Sequence, residues 1–252
     1  MKVIDWKDKL DGKAAVLLRR ASRCQAELGF DCMVLDPANI KKRRTALLSS
    51  GIKRKRAVRY VSLAAHEKAI TNCQKCPLGK TRTKFVYGVG NPKAGILFVG
   101  EAPGREEDLQ GIPFVGRAGQ LLDKILAAIK LSREDVYIAN ILKCRPPNNR
   151  DPQPDEMEIC LPHLKVQIEL IKPRIICALG RISAQALLKT STPLGKLRRQ
   201  WHEYQKTPFI VTYHPAALLR FPSYKKDCWE DIQMMKARYD EITAGEGHGN
   251  QA

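Results

Sequence analysis

The chain has 252 residues, a formal net charge of +18 and eight cysteines. That length can bury a substantial core without disulfides, and with no 18-residue apolar run there is no candidate membrane-spanning helix. The charge, with an isoelectric point near 9.7, points to a polyanionic partner, nucleic acid by default.

The chain begins MKVIDWKDKLDGKAAVLLRR, which lacks the apolar stretch and small-residue cleavage site of a secretory signal. The expected compartment is therefore a reducing cytoplasm, where cysteines serve as metal ligands or buried thiols more readily than as a disulfide framework. Residues 1–62 read as a basic extension. Within 1–66, sixteen Lys and Arg stand against six Asp and Glu, with runs at KKRR (Lys41 to Arg44) and KRKR (Lys53 to Arg56). The spacing of Ala, Val and Leu predicts a helix over 11–28, so the extension is expected to be partly helical and able to contact DNA or a protein.

A regular domain is expected over 63–243. Its first landmark is TNCQKCPLGKTRT, with Cys73 and Cys76 two residues apart. Such a pair can be half of a zinc site, a redox dithiol or half of an iron–sulfur site. No second Cys-x-x-Cys follows, as a zinc ribbon would want. The pair also precedes the first strand, whereas a thioredoxin-type dithiol sits at a strand–helix junction. Thiolates drawn from scattered loops suit an iron–sulfur cluster, with zinc open as the alternative.

Four short apolar runs then read as buried strands, at 96–100, 136–140, 174–179 and 209–213. Helical patterns lie between and after them, at 119–129, 154–171, 183–188 and 229–241. Strands that are apolar on both faces and alternate with helices predict a three-layer α/β/α fold around a four-stranded parallel sheet. The last residues, 244–252, read as a disordered tail.

In such sheets ligands bind beyond the carboxyl ends of the strands. The first of those loops is GEAPGREEDLQGIPFVGRAGQLL, where small residues allow close approach to the backbone. Its carboxylates Glu101, Glu106, Glu107 and Asp108 would repel a phosphate and suit a neutral ligand. Phe114 alone would read as one more core aromatic. The second loop, NILKCRPPNNRDPQPDEMEIC, starts with Asn140, whose amide offers a donor and an acceptor in one plane, matching a nucleobase edge. The fourth run is followed by HPAALLR, beginning at His214. Glu101, Phe114, Asn140 and His214 converge from three strand ends. In a basic protein, that combination reads as a pocket for a flipped base.

Taken together, CxxCPL, GEAPGREEDLQGIPFVGRAGQLL, NILKCRPPNNRDPQPDE and HPAALLR resemble the family 4 uracil-DNA glycosylases, the iron–sulfur members of their superfamily. The resemblance runs from about Leu63 to Glu241 and does not extend to the basic extension. It implies a [4Fe–4S] cluster on Cys73, Cys76, Cys144 and Cys160. It also implies a monomeric enzyme that flips uracil out of DNA, hydrolyses its N-glycosidic bond and leaves an abasic site for base-excision repair.

Further roles follow from the resemblance. Phe114 stacks on the flipped ring, Asn140 reads its polar edge, and His214 donates to uracil O2. The backbone of Glu101, Ala102 and Pro103 lines the pocket, and Glu107 is the candidate for excluding the methyl group of thymine. In the family 1 enzymes an aspartate positions the attacking water, and Ala102 occupies the corresponding place here. Glu101 and Asn149 are then the polar candidates for that task. Leu218 or Leu219 is expected to wedge into the vacated stack, with Lys143, Arg145, Arg150 and Arg220 on phosphates. Three alternatives stand beside this reading: a non-catalytic iron–sulfur DNA-binding module, a relative trapped covalently on uracil-DNA, and a zinc-dependent nucleic-acid-binding protein. The second uses a histidine in an inserted basic loop, which FVGRAGQLL lacks.

Overall fold

The computed structural model describes residues 60–247. The helix expected at 11–28 and the end of the tail lie outside them. After helix α1 (Leu63–Ile70) and the short α2 (Leu78–Thr81) come β1 (Val89–Gly90) and β2 (Ile96–Gly100). Then follow α3 (Arg105–Gln110), α4 (Arg117–Ala128), β3 (Tyr137–Asn140), a 3-10 turn (Pro147–Asn149) and α5 (Pro154–Ile171). The remainder is β4 (Ile175–Leu179), α6 (Arg181–Leu188), α7 (Leu194–Leu197), β5 (His202–Tyr204), β6 (Thr207–Thr212), α8 (Pro215–Arg220) and α9 (Tyr224–Gly247). The last helix therefore continues past the domain end expected at 243.

The sheet has six strands in the order β1-β3-β2-β4-β6-β5. The central four are parallel and are the four expected runs. The expected count of four is corrected by two short antiparallel edges, β1 on β3 and β5 on β6. Two and three residues long, these edges carry no apolar alternation to announce them. The β5–β6 hairpin turns on Gln205 and Lys206, both at positive φ, as a tight two-residue turn demands.

Each central strand sends alternate side chains to opposite layers. Leu97, Val99, Ile176, Ala178, Phe209 and Val211 pack against α5 and α6 in one core. Ile96, Phe98, Ile175, Cys177 and Ile210 pack against α4, α8 and α9 in the other. Both faces are thus covered, which is why the strands are nearly continuous in apolar residues and why α/β/α layering holds. Because β2 lies between β3 and β4, the chain reverses its direction across the sheet there. At that switch point an α/β fold opens a crevice beyond its strand ends. No helix among the described residues is long and apolar enough to cross a membrane.

Candidate active site

A cleft of about 350 Å³ lies at those strand ends. Its lining includes Glu101, Ala102, Pro103, Glu107, Phe114, Asn140, Asn149 and His214, so the residues expected to surround a base do share one cavity. A larger hollow of about 520 Å³ lies between β5 and α9, around Trp201, Met234 and Arg238. None of its lining residues carries a buried, unpartnered polar atom among those described. The cleft at the strand ends does.

That atom is Asn140 Oδ1. Asn140 ends β3 and is 2 % exposed, yet its Oδ1 is shut from solvent without a hydrogen-bond partner. Leaving a buried acceptor unsatisfied costs about 1–3 kcal/mol, so such an atom in a cavity marks where a donor should arrive. Gly100 makes the arrangement possible. A Cβ there would come within 2.4 Å of Asn140 Oδ1 and 2.6 Å of Phe114 Cζ. Only glycine lets the aromatic ring and the amide meet over the end of β2.

Phe114 is buried beside them, with its ring centroid 5.4 Å from that of His214. Its backbone has φ +54°, a left-handed conformation unfavourable for a residue with a Cβ. Glu107 secures the following residues. One of its carboxylate oxygens accepts from the backbone N–H groups of Val115 and Gly116, each at 2.9 Å, and the other from Gly104 at 3.1 Å. Glu107 therefore ties the aromatic loop to the start of α3.

His214 caps α8. Its Nδ1 accepts from the backbone N–H of Ala216 at 3.1 Å, which leaves Nε2 to carry the proton of the neutral ring. Burial, with help from the Arg220 charge, lowers the His214 pKa from 6.5 to about 4, so at neutral pH the ring is an uncharged donor. Glu101 is pushed the other way, to about 7, chiefly by burial and secondarily by Asp151, against the pull of Arg181 and Arg220. A carboxyl so poised can exchange a proton near neutrality. Asn149, at φ +53°, faces the cleft more openly and accepts from Arg145 Nε at 2.8 Å.

The polar residues nearby differ in how far they are committed, Arg220 making only a long bond to Ala216 O of its own helix, at 3.4 Å. Arg220 is exposed on the rim of the cleft. Arg150 forms a two-pronged ion pair with Glu156, at 2.9 and 2.6 Å, and so braces the start of α5. Lys143 corrects the expectation of a phosphate contact. It is 0 % exposed, and its Nζ donates to Asn140 O at 2.9 Å and to Gln167 Oε1 at 2.6 Å. Its length and charge are spent inside the fold, holding the main chain of the base-facing residue. Leu218, at 2 % exposed, belongs to the core under α8, while its neighbour Leu219 is 39 % exposed. Of the two wedge candidates only Leu219 can reach a partner. Sequence reasoning passed over Asp151, which lines the cleft and pairs with Arg181 at 2.9 Å.

The four expected cysteine ligands come from three segments: Cys73 and Cys76 between α1 and α2, Cys144 after β3, and Cys160 within α5. Cys144 accepts from Arg82 Nη1 at 3.1 Å, and Cys160 from the backbone N–H of Lys143 at 3.4 Å. Burial raises the pKa of both thiols, Cys160 to about 11, and each also feels the charges of neighbouring sulfurs, including Cys76. Among the described residues, no group of three or more His, Cys, Asp or Glu is arranged to hold a metal ion. Cys177 and Cys228 are buried elsewhere, in the core beside α9.

A base-sized cleft at the switch point of an α/β/α sheet, with an unpartnered amide acceptor and a neutral imidazole donor, defines a class. The chain belongs to the uracil DNA glycosylase superfamily, whose family model matches residues 87–233. Within that class it is similar to a type-4 uracil-DNA glycosylase of Archaeoglobus fulgidus, 49% identical over 172 residues that cover 65% of this chain and 86% of the relative. A type-4 uracil-DNA glycosylase of Saccharolobus solfataricus is 48% identical, covering 66% of this chain and 82% of the relative. A third, from Pyrobaculum aerophilum, is 46% identical, covering 66% and 88%.

Proposed function

We propose that this protein is a uracil-DNA glycosylase that removes uracil from DNA by hydrolysis and so starts base-excision repair. The observation that carries the reading is the unpartnered Oδ1 of Asn140, set in one cleft with the Phe114 ring and the His214 donor. Uracil presents an N3–H donor beside its O4 acceptor. The Asn140 amide can take the first with Oδ1 and give its own N–H to the second. Cytosine presents an acceptor and a donor in the reverse order. It would leave buried groups unpaired, at about 1–3 kcal/mol each.

The chemistry follows from charge. As the bond between C1′ and N1 breaks, its electron pair leaves with uracil, and negative charge gathers on N1 and O2. A neutral His214, with its tautomer set by the Ala216 N–H, donates from Nε2 to O2 as that charge grows. Positive charge develops on the sugar, and water adds at C1′. Glu101 takes the proton of that water. Of the other cleft carboxylates, Glu107 already spends both oxygens on backbone N–H groups, and Asp151 is paired with Arg181. Asn149 orients the water beside Glu101. The products are free uracil and an abasic deoxyribose, with the strand intact. Phe114 stacks on the flipped ring, Leu219 fills the space it leaves, and Arg220 and Arg145 meet phosphates on the rim.

In the same reading Cys73, Cys76, Cys144 and Cys160 hold a [4Fe–4S] cluster. The donor set fits such a group, because Cys144 and Cys160, drawn from different segments, both feel the charges of neighbouring sulfurs, and each receives an N–H donor, from Arg82 and Lys143 respectively. Bound there, the cluster would staple the loop after β3 to the segment between α1 and α2. The basic extension 1–62 adds long-range attraction to DNA. An oligonucleotide carrying a single deoxyuridine tests the proposal. Alkali-labile breaks at uracil, with none at thymine or cytosine, are expected. Tight binding to the DNA with uracil left in place would favour the non-catalytic module.

A further inference from the structure

Phe114 has to be presented to the cleft in a backbone conformation that its own Cβ resists. The peptide N–H groups after it are held by Glu107. The carbonyls before and at it are held from the other side by Arg133, a residue of the loop leading into β3. Arg133 Nη1 donates to Pro113 O at 3.1 Å, Nη2 donates to Phe114 O, and Nε donates to Asp123 Oδ1 of α4 at 2.6 Å. The guanidinium is thus fully occupied along one edge by two consecutive carbonyls, and α4 anchors it from behind. Gly119 leaves the room for this, since a Cβ there would lie 1.7 Å from Phe114 O.

We infer that Arg133, oriented by Asp123, is a positioning residue for uracil excision: it clamps the Phe114 peptide in its left-handed conformation and so sets the plane on which the flipped base stacks. The inference rests on the reading of the cleft as a uracil site. Arg133 does not line the cleft and does not touch the base. Its side chain is 26% exposed, so removing it does not open a core. Without the clamp, the peptide is free to relax to negative φ and the ring to leave its plane. A misplacement of about 1 Å at a reacting centre can cost on the order of a hundredfold in rate. Lysine keeps the charge but cannot grip two carbonyls and a carboxylate in one plane.

The test is a double-mutant cycle with Arg133→Ala, Phe114→Ala and the pair, read as single-turnover excision from a deoxyuridine oligonucleotide, with Arg133→Lys alongside. Arg133→Ala should slow excision by roughly tenfold to a hundredfold, with Arg133→Lys in between. The double variant should be no slower than Phe114→Ala alone, because the clamp acts only through the ring. The salt dependence of DNA affinity should be unchanged, whereas loss of a phosphate contact would lower its slope by about one. Additive losses in the cycle, a reduced salt slope, or a wild-type rate in Arg133→Ala would overturn the inference while leaving the function standing. If Arg133→Ala does not fold, a wild-type rate in a folded Arg133→Lys would overturn it too. Wild-type protein that releases no uracil would remove the function and the inference together.

Discussion

Replacing Asn140 by leucine should separate what the residue does for the fold from what it does for the base. In the free protein its Oδ1 is buried without a partner, at a cost of about 1–3 kcal/mol. Leucine has nearly the same shape, and it would place methyl groups against Phe114 and Gly100 where the amide now sits. Part of the gain is lost to imperfect packing, so a net stabilisation of about 1 kcal/mol is expected. For a domain of this size that is a rise of about 2–4 °C in Tm. Excision should move the opposite way. Both uracil N3–H and O4 would enter the cleft unpaired, costing about 2–6 kcal/mol, or roughly 30-fold to 10⁴-fold in rate. Calorimetric melting and single-turnover excision on the same preparation give both quantities. A variant less stable than wild type and equally impaired would make Asn140 a structural residue. A variant that excises normally would mean that uracil is not read here.

Other consequences are as direct. His214→Ala should lose roughly 10²- to 10³-fold in excision, as removal of a single anion-stabilising donor does. Because burial holds the His214 pKa near 4, its ring keeps one protonation state from pH 8 down to 6 and its contribution should stay constant over that range. Glu101 accepts a proton only when ionised, so the wild-type rate should rise as pH passes about 7 and level off above it, while Glu101→Gln stays low and flat. The folded state favours the protonated carboxyl, so its contribution to stability is largest at low pH and is lost as pH rises through about 7. Leu218→Ala should cost about 2–5 kcal/mol in denaturant unfolding, as buried leucines do. Leu219→Ala should leave stability unchanged and slow excision from duplex DNA more than from single strands.

The parts of this fold that the sequence announces are those where burial leaves a mark on residue type. The four central strands are covered on both faces, so each is a run such as ILFVG or IICAL with nothing polar to confuse it. The edge strand HEY is polar because one side faces solvent, and β1 is two residues long. Neither leaves a pattern. The cleft was legible because its residues stand at loop starts, where an amide, a histidine or a glycine run has few structural reasons to be.

What escaped depended on direction or on distance along the chain. Lysine normally reads as surface, and only the structure turns Lys143 inward to Asn140 and Gln167. Leu218 and Leu219 are adjacent and alike, and the phase of α8 decides which one faces water. Arg133 lies in a different loop from Phe114, and nothing in residue order links the two.

Release of uracil from DNA by this cleft can be observed directly. The direct measurement is mass-spectrometric detection of free uracil from a deoxyuridine oligonucleotide, with wild-type protein and His214→Ala under identical conditions and a thymidine control. One uracil should be released per abasic site in the wild type, at a rate reduced at least a hundredfold in the variant, with no thymine from the control. Uracil release at equal rates in wild type and variant would contradict the mechanism, and the absence of uracil from the wild-type reaction would contradict the function itself.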